Sequence, residues 1–208
     1  MSSLTANQVD VLAALAGVEP PWVLTGGGAL GGFHLGHRPT RDVDLFWRGA
    51  QALGWLPDEV IRRLVSAGFE VSSEQVAPAF RRLRVVRGAE TVLVDLVADP
   101  VPAIEPPDVF ALGAATVLVD SRHEILVNKL TALLSRSEVR DLVDVRALVE
   151  AGGDLDRALA DAPRKDGGFS GPTLAWLLRQ FPLRKLGADP QLVAWRDAFV
   201  ARLLAAPQ

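Results

Sequence analysis

Two aspartates one residue apart, Asp42 and Asp44 in "DVDLFW", are the residues of this 208-residue chain whose type and spacing point most directly to chemistry. In a strand, positions i and i+2 share a face, so the two carboxylates stand side by side while Val43 and Leu45 face the core. Like charges held that close repel unless a cation lies between them, and hard oxygen donors in this number suit Mg²⁺. A third carboxylate, Asp95, interrupts the apolar run "TVLVDLV", where an aspartate is seldom fully buried without a partner. Upstream, Gly26, Gly27 and Gly28 separate an apolar run from a helix-like segment. Consecutive glycines there form either a tight turn or a cradle whose backbone N–H groups face a phosphate. Their spacing matches neither a Walker loop nor a dinucleotide fingerprint. Each aspartate taken singly suits a solvated strand end as well as a ligand. Together, Asp42, Asp44 and Asp95 describe a site for one or two Mg²⁺ ions, with a triphosphate held on the glycine turn. Two such ions, about 4 Å apart, activate an attacking hydroxyl and stabilise departing pyrophosphate, which is the chemistry of nucleotidyl transfer.

Such side chains need a sheet to hold them, and the hydrophobic pattern of the first 120 residues predicts one. A helix over Val9 to Gly17 stops before Pro20 and Pro21, and a short strand "WVLT" follows. The glycines then open a helix reaching about Leu35, which Gly36 ends. "DVDLFW" reads as a buried strand, Pro57 to Ala67 as a helix closed by Gly68, and "FEVSS", "FRRLRVVR" and "TVLVDLVA" as strands, the last two joined through "GAE" as a hairpin. "DPVPAIEPPD" is a proline-rich loop, and "ATVLV" a brief strand. From His123 the period becomes helical, with helices from His123 to Ser135, Glu138 to Ala151, Leu155 to Ala160, Thr173 to Phe181 and Leu192 to Leu204, and a polar loop "APRKDGGFSGP". The expected class is therefore α+β: a mixed-sheet core over residues 1–120 and a helical region over 121–208 packed on it, without internal repeats.

The helical half carries its own candidates. Lys129, Ala132, Leu133 and Arg136 share a helical face, so lysine and arginine reach one pocket from successive turns. Arg140 and Asp141 open the next helix, and Asp144 lies one turn beyond Asp141. The alternative is a network of ion pairs on the surface. Lys129, Lys165 and Lys185 are the chain's three lysines, against nineteen arginines, which singles out each of them. His34 and His37, ahead of Arg38, suit either a base or phosphate contact or a structural role. His123 reads as a helix-start residue. Arg82 and Arg84 alternate on one strand face, either as a basic groove for RNA or as a solvated surface. The five tryptophans show no stacking pattern and read as core.

Composition limits the partners. A net charge of −3 argues against coating nucleic acid by bulk electrostatics and leaves a local basic groove open. The chain has no cysteine, so any metal binds oxygen or histidine. No signal-peptide pattern and no run of eighteen apolar residues appears, which leads to the expectation of a cytoplasmic protein with no membrane partner.

Gly26 and Gly27 followed by Asp42 and Asp44 resemble the first motif of the polymerase-beta-like nucleotidyltransferase superfamily. "LTGGGALGGFHLGHRPTRDVDLF" resembles more narrowly the AbiEii/AbiGii toxin branch, with its glycine pair, small helix, His-Arg loop and acid pair ending in Leu-Phe. "VNKLTALLSRSEVRDLVDVRAL" is similar to that branch's helical block. The resemblance spans roughly residues 20 to 150. It implies a transferase core with a helical C-terminal half, a nucleoside triphosphate substrate, an RNA acceptor such as a tRNA 3′ end, and a cognate antitoxin. Carried over by position, it implies Asp42 and Asp44 as metal ligands and Lys129 as a contact to a nucleotide phosphate. Asp141 would be catalytic support, with Asp144 and Arg136 beside the nucleotide. The superfamily often has serine where this chain has Gly27, so any phosphate contact there comes from backbone N–H. Two other functions fit the same residues less fully. One is a small-molecule transferase like the aminoglycoside nucleotidyltransferases; the other is an inert module that binds a nucleotide or a partner.

Overall fold

The computed structural model describes residues 3–136 and 138–205. They fall into two compact units, residues 1–121 and 122–208. The first is built on seven strands: β1 (Val23–Thr25), β2 (Asp42–Arg48), β3 (Glu70–Ala77), β4 (Phe80–Arg87), β5 (Glu90–Asp99), β6 (Asp108–Leu112) and β7 (Ala115–Val119). They form one mixed sheet in the order β3-β4-β5-β2-β1-β7-β6. β2 runs parallel to β5 and antiparallel to β1, while β1 is parallel to β7. Leu24, Val43, Leu45, Val94, Leu96 and Val119 are buried along its apolar side. α1 (Ala6–Leu15) contacts β5 and β7, and α3 (Leu56–Ser66) contacts α1 and β3. Thr5 and Gln8 start α1 with a reciprocal capping box, each side chain bonded to the other's backbone. The class is α+β, as the change of hydrophobic period predicts.

Three local expectations change. The helix expected from Gly26 to Leu35 is instead a four-residue α2 (Gly26–Ala29) running into a π-helical turn, Leu30–His34. Gly31 and Gly32 sit in that turn, and the chain leading to α1 lies against them. A β-carbon at Gly31 would stand 2.3 Å from Ser3 Oγ, and one at Gly32 would stand 2.7 Å from Leu4 Cδ1. β6 has no counterpart in the sequence reading. It is an edge strand paired with β7 and largely exposed, so it shows none of the apolar alternation that marks a half-buried strand. Of the tryptophans, Trp22 and Trp47 are core and bond the carbonyls of Leu15 and Pro20, but Trp55 and Trp176 lie at the surface.

The second unit contains α4 (Arg122–Ser135), α5 (Val139–Glu150), α6 (Leu155–Asp161), a 3₁₀ turn at Ala162–Arg164, α7 (Gly171–Gln180) and α8 (Pro190–Ala205). α4 packs against α5, α6 and α7, and α7 against α8. Asp154 and Ser170 cap α6 and α7 by accepting from the N–H groups of Arg157 and Thr173.

Candidate active site

Along β2, Val43, Leu45 and Trp47 are buried while Asp42, Asp44, Phe46 and Arg48 alternate onto the other face. The registers of the neighbouring strands extend this face sideways. Thr25, Asp44, Asp95 and Arg82 form one row across β1, β2, β5 and β4, and Asp42, Leu93 and Arg84 form the next. Partners in a ladder share a face, so Asp44 and Asp95 stand on adjacent strands beside each other.

The glycine turn meets the aspartates directly. Gly26 has φ +63°, a conformation that side chains rarely adopt, and a β-carbon there would stand 2.5 Å from Asp44 Oδ2. At Gly27 it would stand 3.0 Å from Thr40 Oγ1 and 3.2 Å from Arg38 Nη2, and at Gly28 3.3 Å from Leu24 Cδ1. The first two glycines therefore leave room for polar groups, and the third for the core.

Asp95 has a partner within the chain. Arg82 donates from Nε to Oδ1 at 2.7 Å and from Nη2 to Oδ2 at 2.6 Å, so its planar fork covers both carboxylate oxygens. The hydrogen bond to Asp95 raises the guanidinium pKa above its ordinary value. Burial opposes that rise, and the charges of Asp95, Asp42 and Asp44 add to it. Among the described residues, no group of three or more His, Cys, Asp or Glu side chains is gathered closely enough to hold a metal. Arg84, on the same face as Arg82, is exposed. The same sheet face carries a network that the sequence reading missed. Arg48 bonds Asp99 and Asp120 and lies 4.7 Å from the centre of the Phe46 ring, and His34 Nε2 hydrogen-bonds the Asp120 carbonyl at 2.8 Å. Its signal in the sequence is an acid closing each of two apolar strands, "LVAD" and "VLVD".

In the helical unit, Lys129 and Arg136 do converge. Lys129 Nζ donates to Asp141 Oδ1 at 2.7 Å and lies 2.8 Å from Asp144 Oδ2, while Arg136 Nε donates to Asp141 Oδ2 at 2.9 Å. Lys129, Asp141 and Asp144 are buried and the half-exposed Arg136 closes the network at its edge, unlike the exposed pair Arg140–Glu138. His123, in the first turn of α4, bonds Asp161 at 2.8 Å. That bond, helped by Arg164 and opposed by burial, holds the Asp161 carboxyl below the usual range.

The fold is that of the nucleotidyltransferases. The JHP933 protein of Helicobacter pylori superimposes with a TM-score of 0.53 at 20% identity, covering 86% of this chain and 73% of that one. A Helicobacter pylori protein described as a candidate nucleotidyltransferase gives 0.54 at 18% identity over 96% and 94%. An antigenic nucleotidyltransferase-like protein from Paracoccidioides brasiliensis gives 0.51 at 18% identity over 79% and 91%. No curated protein matches the sequence significantly. The family is shown by the sequence itself: the chain belongs to the AbiEii nucleotidyl transferase toxin family of type IV toxin–antitoxin systems, whose model matches residues 10–205. The protein is accordingly a nucleotidyltransferase, and its family implies a nucleotide substrate and an antitoxin as counterpart. No helix among the described residues is long and apolar enough to cross a membrane.

Proposed function

We propose that the protein is a Mg²⁺-dependent toxin that transfers a nucleotide from a nucleoside triphosphate to an RNA end. The observation that carries this reading is the seat of Asp44. Its carboxylate occupies the space that a side chain at Gly26 would fill, two strand positions from Asp42 on the same face. Two carboxylates on a rigid strand offer oxygen alone, which fits a hard divalent cation. Asp42 and Asp44 would hold it, with Asp95 as a third donor once its oxygens leave Arg82. Bound there, Mg²⁺ supplies Lewis-acid stabilisation of the charge that develops during phosphoryl transfer.

The chain's own groups supply binding and orientation. The N–H groups of Gly26, Gly27 and Gly28 open α2 without intrahelical acceptors and would receive phosphate oxygens, while the missing side chains permit close approach. Within the helical unit, two of the three Lys129 N–H bonds serve Asp141 and Asp144, and the third is the donor for the phosphate contact that the family resemblance implies. Asp141 and Asp144 then orient the ammonium, and Arg136 balances the second buried acid. An RNA acceptor is supported by Arg84, exposed on the sheet face of Asp42 and Asp44. The test is incubation with Mg²⁺ and each labelled nucleoside triphosphate, with total cellular RNA in one arm and an aminoglycoside in the other. Label in RNA that is lost in Asp42→Asn supports the proposal. Label on an aminoglycoside but never on RNA overturns the acceptor, and no transfer to either overturns the reading.

A further inference from the structure

We propose that Arg82 is a built-in counter-cation that occupies the third carboxylate, Asp95, and competes with a divalent cation for it. This rests on Asp42 and Asp44 as the cation's seat and deepens that reading. Asp44 and Asp95 are register partners on parallel strands, with Asp42 two residues from Asp44. Carboxylates on adjacent strands repel one another, and the buried one, Asp95, bears the larger cost of its charge. Arg82, the register partner of Asp95 on its other side, relieves this by presenting two N–H groups to the two oxygens. Asp95 is buried, so its charge needs such a partner, whereas the Arg82 side chain is 31% exposed and has solvent to move into. A divalent cation that takes Asp95 as a ligand has to displace the fork. Arg82 thereby stabilises the chain without metal and weakens its hold on metal, two effects that a purely structural ion pair would not combine.

The test is Mn²⁺ titration, followed by calorimetry and by the electron paramagnetic resonance of free Mn²⁺, on the full chain and on Arg82→Gln, Asp95→Asn, the double variant and Asp42→Asn. Arg82→Gln should tighten Mn²⁺ binding by roughly ten- to a hundredfold, the factor that loss of one competing charge-assisted hydrogen-bonded pair confers. Asp95→Asn should remove that gain in the Arg82→Gln background, yet weaken binding far less in the natural chain. If Arg82→Gln leaves Mn²⁺ affinity unchanged while Asp42→Asn lowers it, the competition is refuted and the metal site stands. If Asp42→Asn has no effect either, both readings fall. Should Arg82→Gln not fold, the natural chain still decides. Asp95→Asn weakening Mn²⁺ as much as Asp42→Asn would mean that Asp95 is already a ligand beside Arg82, which overturns the proposal. Arg82→Lys, with no fork to cover both oxygens, should give an intermediate gain.

Discussion

The Asp44 carboxylate and the turn at Gly26 occupy one small volume, so at the scale of single residues each constrains the other. Gly26→Ala would force a side chain into the left-handed region, which costs about 1–2 kcal/mol, and into contact with Asp44 Oδ2. We expect a fall in Tm of several degrees and a loss of transfer of at least tenfold beyond what the unfolded fraction explains. Transfer assayed below the melting range separates the two effects. Asp42→Asn and Asp44→Asn should lower transfer by a hundredfold or more while leaving circular dichroism and Tm nearly unchanged, because each amide keeps the shape of its acid and removes charge from a crowded face. Retention of full activity in either variant would remove the acid pair from the mechanism. Arg82 belongs to the same scale. It was open to two readings as a strand arginine, and its fork on Asp95 now leaves Arg84 as the exposed cation of that pair.

Between elements, buried charge decides more than exposed charge. Lys129 on α4 joins Asp141 and Asp144 on α5, and Lys129→Ala would remove the buried ammonium from both carboxylates while leaving Arg136 on Asp141. Breaking a buried ion network from one side costs about 3–5 kcal/mol, so a large drop in the unfolding midpoint in urea should accompany any loss of nucleotide affinity. Asp141→Asn with Lys129→Met should recover part of it, since charges removed together leave less unpaired. His123 on α4 and Asp161 at the end of α6 set a pH dependence. The folded carboxyl lies below its usual value, so the pair's contribution is complete above the ordinary carboxylate range and disappears as pH falls through the lowered value. Acid unfolding followed by circular dichroism should begin at higher pH in the natural chain than the Asp161 value alone dictates, because other acids titrate too. The difference in stability between natural chain and Asp161→Asn should nonetheless shrink below about pH 4, the ordinary aspartate value. A difference that stays constant from pH 7 to pH 3 would show that the pair carries no titrating stability.

For the whole molecule, a net charge of −3 means that any hold on RNA comes from a local set of cations. Arg84→Ala should therefore lower RNA labelling and flatten its log-log salt dependence by about 0.7, the slope of one neutralised phosphate on a single strand, with nucleotide binding unchanged. An unaltered slope would take Arg84 out of the acceptor site. The acid pair and the change from sheet to helix are legible in the sequence because both rest on short periods: two residues in a strand and 3.6 in a helix. The hairpin between β4 and β5 is legible as well, but its register is not. A loop of three residues, "GAE", would set Leu83 opposite Asp95; the chain turns in two, at Gly88 and Ala89, pairing Arg87 with Glu90, and Arg82 arrives there instead. A slip of one residue exchanges the two faces of a strand, so the partner of Asp95 depends on turn geometry that composition does not specify. The helical charges show the same division. Spacing sets Lys129 within α4 and Arg136 just past its end on the same side, and only α5, by laying Asp141 against both and Asp144 against Lys129, makes the lysine an interior charge. The sequence by itself determined the α+β class, the paired acids beside a glycine turn and the family. Tertiary structure alone decided which carboxylates carry an internal counter-charge, because that depends on strand register and helix packing between residues distant along the chain.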